Sequence, residues 1–98
     1  MQMDVYKEGN RVTIMVRGEF NFHVRSAFRD AYKNEPPGTE YVIGLGGVAT
    51  LDSAAIGMLL LLREHAGGDH SKITLSNCQP YIKKLLHTSQ LDQLFKVT

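Results

Sequence analysis

Residues 51–62 constrain the fold of this chain most, because a polar pair there stands directly before an almost wholly apolar run. The segment reads Leu51-Asp52-Ser53-Ala54-Ala55-Ile56-Gly57-Met58-Leu59-Leu60-Leu61-Leu62. Asp and Ser are favoured at helix N-termini, where their side-chain oxygens accept from free backbone N–H groups. The apolar run Tyr41–Leu45, typical of a strand buried on both faces, lies upstream and is joined by a tight segment, Val48–Leu51. This order predicts a buried strand followed by a helix of about Ala54–His65 that ends at Gly67-Gly68.

The N-terminal residues predict a β-hairpin. Two segments, Asp4–Glu8 and Val12–Arg17, carry the β-branched and aromatic residues that favour strands. Gly9-Asn10 lies between them with Gly first, which suits a two-residue type II′ turn whose first position has positive φ. Gly18 is expected to end the second strand.

Further elements are predicted on either side of the central unit. Asn21 is a candidate cap for a first helix over Phe22–Lys33. Lys72–Ser76 has the alternating pattern of a strand. Asn77 is a candidate cap for a third helix, with Pro80 in its first turn, where a missing N–H costs little.

The predicted order is therefore β-β-α-β-α-β-α with a short apolar tail. Two strands joined by a helix favour a parallel crossover, whereas the hairpin is antiparallel. The sequence predicts an α/β (α+β) architecture, a small mixed β-sheet with helices packed against it. With 98 residues, the chain is expected to form a single domain over residues 1–98. The apolar residues of the tail are expected to close the core: Leu91, Leu94, Phe95 and Val97.

Composition excludes several classes of protein. Hydrophobic residues make up 43% and charged residues 21% of the chain, which is a globular balance. The formal net charge of +1, with Lys and Arg scattered, gives no electrostatic case for nucleic-acid binding. Met1–Lys7 lacks the apolar stretch of a signal peptide, and Ala54–Leu62 is shorter than the roughly 20 residues that span a bilayer. Cys78, the single cysteine, indicates a reducing compartment. A cytoplasmic protein without membrane insertion is expected.

Asp52-Ser53 has two interpretations. In the first, one of the two residues caps the helix and nothing more, which is what most such pairs do. In the second, Ser53 is phosphorylated, which would bring a charge of about −1.5 to −2 to a helix N-terminus that favours anions. Because the folded domain tolerates the phosphate there, the modification would act on the surface that the site touches.

The helix after Ser53 is more apolar than one buried stripe requires. Packing beneath neighbouring helices accounts for part of this excess. The remainder predicts an exposed apolar patch, and such patches mark binding surfaces. Met58 would suit an adaptable interface. Three small residues, Ala54, Ala55 and Gly57, would let the backbone of a partner come close.

Enzymatic interpretations are weaker. No Gly-x-Ser-x-Gly sequence frames Ser53 as a nucleophile. The histidines have no triad or metal-ligand spacing, and Gly44–Gly47 lacks the lysine of a phosphate-binding loop. We therefore expect no catalytic residues, no metal site and no cofactor.

The segment Leu51–Leu59 resembles the signature of STAS domains of the anti-sigma factor antagonist (anti-anti-sigma) family. The resemblance extends over nearly the whole chain, including the opening hairpin, Val48 and the closing Leu91-x-x-Leu94-Phe95-x-Val97. Two positions depart from the family pattern. Ala55 stands where a glycine is common, and Gly44 stands where an acid is common, so that a charge near the site is absent.

The resemblance implies a STAS-like fold and a protein without enzymatic activity. It implies that the unphosphorylated form binds an anti-sigma factor, which frees a sigma factor, and that phosphorylation of Ser53 breaks this complex. The implied partners are an anti-sigma factor with serine kinase activity and a phosphatase, or a response regulator with kinase and phosphatase activity. The partner-binding residues would be Asp52, Ser53, Ala54, Ala55, Gly57, Met58 and Leu61.

Other interpretations stay open. The same fold could serve as a subunit or scaffold of a transporter or sensory complex, with Ser53 as a cap or a direct contact to an ATPase. A nucleotide-binding or hydrolase activity centred on Ser53 is a third alternative. The apolar helix also makes a weak homodimer plausible.

Overall fold

The computed structural model describes residues 2–98, which form a five-stranded sheet and three α-helices. The strands are β1 (Met3–Glu8), β2 (Arg11–Phe20), β3 (Glu40–Leu51), β4 (Lys72–Ser76) and β5 (Lys96–Val97). The helices are α1 (Arg25–Asp30), α2 (Ser53–His65) and α3 (Pro80–Thr88). Short 3-10 turns cover Phe22–Val24, Gly68–His70 and Leu91–Gln93.

The sheet is mixed, as the sequence predicts. Its strands lie in the order β1-β2-β3-β4-β5; β1 is antiparallel to β2, and every other neighbouring pair is parallel. The predicted two-residue hairpin is confirmed, since Glu8 pairs with Arg11 and Gly9 has a φ of 57°. The φ of Asn10 is not positive. A type II′ turn requires this combination, with positive φ at the first turn residue only.

Strands β2 and β3 are longer than predicted. Gly18 does not end β2, because the backbone pairing with β3 continues to Phe20 opposite Leu51. The tight segment expected at Val48–Leu51 is likewise part of β3. Two register shifts lie between Met15 and Arg17 and between Gly18 and Glu19, where β3 carries the extra residues. Such bulges let a ladder resume past irregular positions.

One hydrophobic core lies on one face of the sheet. In β2 the side chains of Val12, Ile14 and Val16 are at most 1% exposed, whereas Thr13 and Met15 on the opposite face are half-buried. The helices and the tail complete this core with Phe28, Leu59, Leu62, Ile82, Leu86, Leu91 and Phe95. The prediction that the tail closes the core is confirmed at Leu91 and Phe95, which are buried, whereas Leu94 is 39% exposed.

Two local predictions need correction. The first helix begins at Phe22 as predicted, where Asn21 caps it by accepting from the His23 N–H at 3.0 Å, but its first turn is 3-10 and α1 ends at Asp30 rather than at Lys33. Asn77 does not cap α3: it adopts a left-handed conformation with a φ of 56°, and the helix begins after Gln79. Pro80 stands at the first turn as predicted.

Helix α2 has the predicted extent, apart from beginning at Ser53. Its buried stripe comprises Ala55, Met58, Leu59 and Leu62. Leu61 is 60% exposed and Leu60 is 37% exposed, so the predicted excess of apolar surface is present. No helix within residues 2–98 combines the length and apolar character needed to cross a bilayer.

Replacing a buried leucine of α2 should destabilise the fold, whereas replacing an exposed one should not. Leu59→Ala removes a side chain that is 0% exposed, and we expect it to lower the free energy of unfolding by about 2–5 kcal/mol. Leu61→Ala is the matched control and should change it by less than about 0.5 kcal/mol. Urea unfolding followed by circular dichroism measures both. Equal losses in the two variants would contradict the assigned faces of α2.

Tyr41 should make the protein sensitive to alkali. Its side chain is 0% exposed and its hydroxyl has no hydrogen-bond partner among the described residues. Burial raises the pKa of Tyr41 to about 12, from an ordinary value of 10.0. A raised pKa in the folded state gives stability that is present below about pH 10 and is lost as pH rises through about 12.

Tyr41→Phe should therefore be nearly neutral at pH 7 and lose less stability than the parent protein between pH 10 and 12. The difference should reach about 2–3 kcal/mol at the alkaline end. Tyr6→Phe is the control, since the Tyr6 ring is 58% exposed. Chemical unfolding across this pH range tests the prediction, which fails if the two variants titrate alike.

Candidate functional site

The start of α2 lies at the end of a two-stranded extension of the sheet. Strand β4 last pairs with β3 at Gly44, opposite Ser76, whereas β2 and β3 stay paired as far as Phe20 and Leu51. The Asp52 N–H donates to the Phe20 carbonyl at 3.5 Å. The loop that follows β2 is thereby held beside the first turn of α2.

Asp52 is the helix cap. Its backbone is extended, with a φ of −111°, and its Oδ1 accepts from the Ala55 N–H at 3.0 Å. Its carbonyl accepts the first intrahelical bond, from the Ile56 N–H at 3.1 Å. Ser53 is therefore the first helical residue rather than the cap. Its side chain is exposed, and its hydroxyl makes no hydrogen bond to another residue within 2–98.

The predicted partner-binding residues separate into two groups on α2. Ser53, Gly57 and Leu61 are spaced four apart, so they form a stripe along one side of the helix. Ala54 lies beside this stripe and is half-buried. A Cβ placed on Gly57 would meet no atom within 4 Å, so the surface there is open. We call Asp52, Ser53, Ala54, Gly57 and Leu61 the α2 stripe.

Ala55 and Met58 do not belong to this surface. The Ala55 side chain is 0% exposed and that of Met58 is 5% exposed, because both belong to the hydrophobic core. The expectation that the Ala55 side chain contacts a partner is corrected accordingly. Met58 keeps a small share of surface, at the base of a hollow between α1 and α2.

Phe22 is an exposed aromatic residue that the sequence interpretation assigned only to a helix start. Its ring is 62% exposed and lies 4.2 Å from the His23 ring, centroid to centroid. It lies two residues after Phe20, whose carbonyl accepts from the Asp52 N–H. The signal in the sequence was a large aromatic residue directly after a capping asparagine.

Gly44 stands where the family resemblance expects an acid. It is buried, and a Cβ at this position would collide with the thioether end of Met15. Met15 pairs with Gly44 across the β2–β3 ladder and covers it. A larger residue at position 44 would require Met15 to move.

The remaining candidate groups are engaged or dispersed. His65 Nε2 lies 3.0 Å from the Glu35 carbonyl oxygen, and His87 Nδ1 lies 2.7 Å from Asp92 Oδ2. Burial raises the pKa of the Cys78 thiol, which disfavours the thiolate. Within residues 2–98, no group of three or more His, Cys, Asp or Glu side chains is placed to hold a metal ion.

Comparison with known proteins identifies the family of this chain. Residues 3–97 match the family described as "Mlab, STAS domain". The chain belongs to the STAS-domain family. A STAS-domain-containing protein of Pseudomonas aeruginosa (strain UCBPP-PA14) is 45% identical over 92 residues, which cover 93% of this chain and 91% of that protein.

Two solved structures share the fold of this STAS domain. An anti-sigma factor antagonist from Mycobacterium paratuberculosis has a TM-score of 0.80 and 21% identity, covering 97% of this chain and 82% of that one. The anti-sigma factor antagonist SpoIIAA of Bacillus, in its unphosphorylated form, has a TM-score of 0.77 and 18% identity, covering 98% and 87%. The predicted STAS-like fold is confirmed.

Removing the Asp52 cap should loosen the start of α2. Asp52→Ala leaves the Ala55 N–H without its acceptor, and we expect it to lower the free energy of unfolding by about 1 kcal/mol. Asp52→Asn keeps an acceptor oxygen and should lower the free energy of unfolding by only about a few tenths of a kcal/mol. Ser53→Ala should change stability by less than about 0.5 kcal/mol, because its hydroxyl has no partner to lose. If Ser53→Ala proved the more destabilising, as measured by urea unfolding, the assignment of the cap would be wrong.

Proposed function

We propose that this STAS domain is an anti-sigma factor antagonist whose unphosphorylated form binds an anti-sigma factor through the α2 stripe, and that phosphorylation of Ser53 breaks the complex. The observation that carries the proposal is the division of roles at the start of α2. Asp52 makes the capping bond at 3.0 Å, so the exposed Ser53 hydroxyl is free for modification.

The fold relatives support the proposal. SpoIIAA is an anti-sigma factor antagonist whose structure exists in an unphosphorylated and a phosphorylated form. Its identity to this chain is 18%, so it supports a role for this chain only together with the local geometry. That geometry is a serine at the first turn of an apolar helix, with the exposed Leu61 two turns further along the same side.

The folded domain can accept a phosphate at Ser53. The Ser53 and Ala54 N–H groups stand at the first two helical positions and have no intrahelical acceptor. Free N–H groups and the positive end of the helix dipole favour an anion at this place. Asp52 places a second negative charge next to the phosphate, and this repulsion limits how far the helix N-terminus stabilises it.

The interface cannot accept the same phosphate. Leu61 and Gly57 make the stripe apolar and flat, so a partner that covers it removes water from the first turn of α2. A dianion buried there without a counter-charge carries a desolvation cost of several kcal/mol. Phosphorylation would therefore act on binding and leave the fold intact.

The partners follow from this switch. An anti-sigma factor with serine kinase activity would bind the stripe and modify Ser53. A separate phosphatase, or a response regulator with kinase and phosphatase activity, would reset it. The domain itself would be a binding protein without catalysis, and such partners would place its action in the cytoplasm.

Ser53 variants test the switch. Ser53→Asp should weaken binding to the purified anti-sigma factor by more than about 100-fold, since an unpaired charge in the interface costs about 3 kcal/mol or more. Ser53→Ala should bind as tightly as the unphosphorylated protein and stay bound in the presence of kinase and ATP. Isothermal titration calorimetry measures each affinity, and mass spectrometry locates the phosphate.

Ser89→Asp is the matched control, because Ser89 is an exposed serine outside the α2 stripe. It should bind normally. The proposed switch is refuted if Ser53→Asp and Ser53→Ala bind equally well while both remain folded by circular dichroism.

A second candidate function uses the same free hydroxyl. As a subunit of a transporter complex, the domain would contact an ATPase directly through Ser53, without phosphorylation. Co-purification of the tagged protein separates the two candidates: recovery of a transporter ATPase, with unmodified Ser53 and no anti-sigma factor, would favour the transporter. In that case Ser53→Ala would weaken binding, which is the opposite of the result expected for the switch.

A further inference from the structure

A hollow of about 270 Å³ lies between α1 and α2. Its base is apolar, because Phe28, Tyr32 and Met58 line it and are at most 7% exposed. Leu61 forms a wall from the α2 side, and it is 60% exposed. Arg25 and Arg29 also line the hollow, from the exposed side of α1. We call these six residues the α1–α2 groove.

The two arginines of the groove differ from the other arginines of the chain. Arg11, Arg17 and Arg63 each form a salt bridge with a carboxylate, those of Glu40, Asp4 and Asp69 respectively. Among residues 2–98, no carboxylate pairs with Arg25 or Arg29. The groove therefore combines an apolar base with two uncompensated positive charges.

The arrangement of these charges is regular. Arg25 and Arg29 are four residues apart on α1, so their side chains project from one side of the helix about 6 Å apart along its axis. A second hollow of about 360 Å³ is lined by the same two arginines together with Phe22, Ser26 and Asp30, whose carboxylate pairs with Lys33. Both arginines therefore line two neighbouring concave surfaces.

We propose that the α1–α2 groove binds an amphipathic helix of the protein partner that carries two acidic residues four apart. An Asp or Glu pair with this spacing matches the spacing of Arg25 and Arg29, and a guanidinium pairs with a carboxylate through two parallel hydrogen bonds. An aliphatic side chain on the same face of the partner helix enters the hollow against Met58 and Leu61. Both features of the groove are then used by one ligand.

Other occupants fit the groove less well. A nucleic acid would leave the apolar base uncovered, and the net charge of the chain is only +1. A second copy of this chain does not supply the matching acids. Helix α1 contains one acidic residue, Asp30, helix α2 contains one, Glu64, and α3 contains none. No helix of residues 2–98 thus carries the required pair.

The groove is distinct from the phosphorylation site, although the two share Leu61. That residue lies eight positions beyond Ser53, about 12 Å along the helix axis. The inference rests on the proposed function only in taking the occupant to be a protein. The start of α2 would switch the complex, and the groove would select a partner by its charge.

A pair of designed helical peptides tests this inference. One peptide has two glutamates four apart with leucines on the same face, and the other has lysines in place of the glutamates. Titration of the ¹⁵N-labelled protein should show that only the glutamate peptide shifts the amides of Phe28, Met58 and Leu61. The double variant Arg25→Glu/Arg29→Glu should bind the glutamate peptide at least about tenfold more weakly and should gain binding of the lysine peptide.

The double variant Arg25→Gln/Arg29→Gln serves as the test if charge reversal disturbs folding. It should no longer bind the glutamate peptide, and it should not bind the lysine peptide. Equal binding of both peptides by the unaltered protein would overturn the proposal, as would shifts confined to another surface. Two further results would overturn it. One is a dimer in sedimentation experiments that either double variant abolishes, and the other is an RNA oligonucleotide that shifts the same amides. Ser53→Asp should bind the glutamate peptide normally, so a failure of the switch and a failure of the groove give different results.

Discussion

The parallel pairing of β2 with β3 is the interaction on which the rest of the structure depends. This ladder extends beyond β4 and carries the chain to Leu51 beside Phe20. Because two bulges in β3 are absorbed without ending the ladder, Asp52 arrives within reach of the Phe20 carbonyl. The position of α2, and of the loop beside it, follows from a backbone pairing rather than from any functional side chain.

Helix α2 both builds the core and presents an apolar surface to solvent. Its apolar excess splits into a stripe that builds the core and a stripe that stays in contact with water. At its first turn the capping bond is made by Asp52, so the Ser53 hydroxyl makes no hydrogen bond on which the fold depends. A modification at Ser53 can then alter a surface without removing a bond on which folding depends.

The two proposed contacts, at the α2 stripe and at the α1–α2 groove, would contribute to partner recognition in different ways. A phosphate at the start of α2 changes the charge of the apolar stripe, and its effect depends on burial by a partner. Arg25 and Arg29 add a fixed positive charge beside an apolar hollow, and their effect depends on the acids that the partner presents. Because specificity is a difference between affinities, this fixed charge would favour an acidic partner over a basic one.

The sequence by itself determined the order of the first four strands and three helices, the hairpin turn, strand β4, the extent of α2 and the family, since these depend on local patterns and on one extended signature. It did not show that the apolar tail adds the strand β5 beside β4. It did not determine the length of α1, which ends at Asp30 rather than at Lys33. Nor did it place Asn77, which adopts a left-handed backbone between β4 and α3 instead of capping α3. Only the tertiary structure decided that Ala55 and Met58 face the core while Gly57 and Leu61 face solvent. A helix that is apolar on nearly all sides carries no periodic signal of its buried face, so that choice belongs to the sheet and to α1, which are brought against it only by folding.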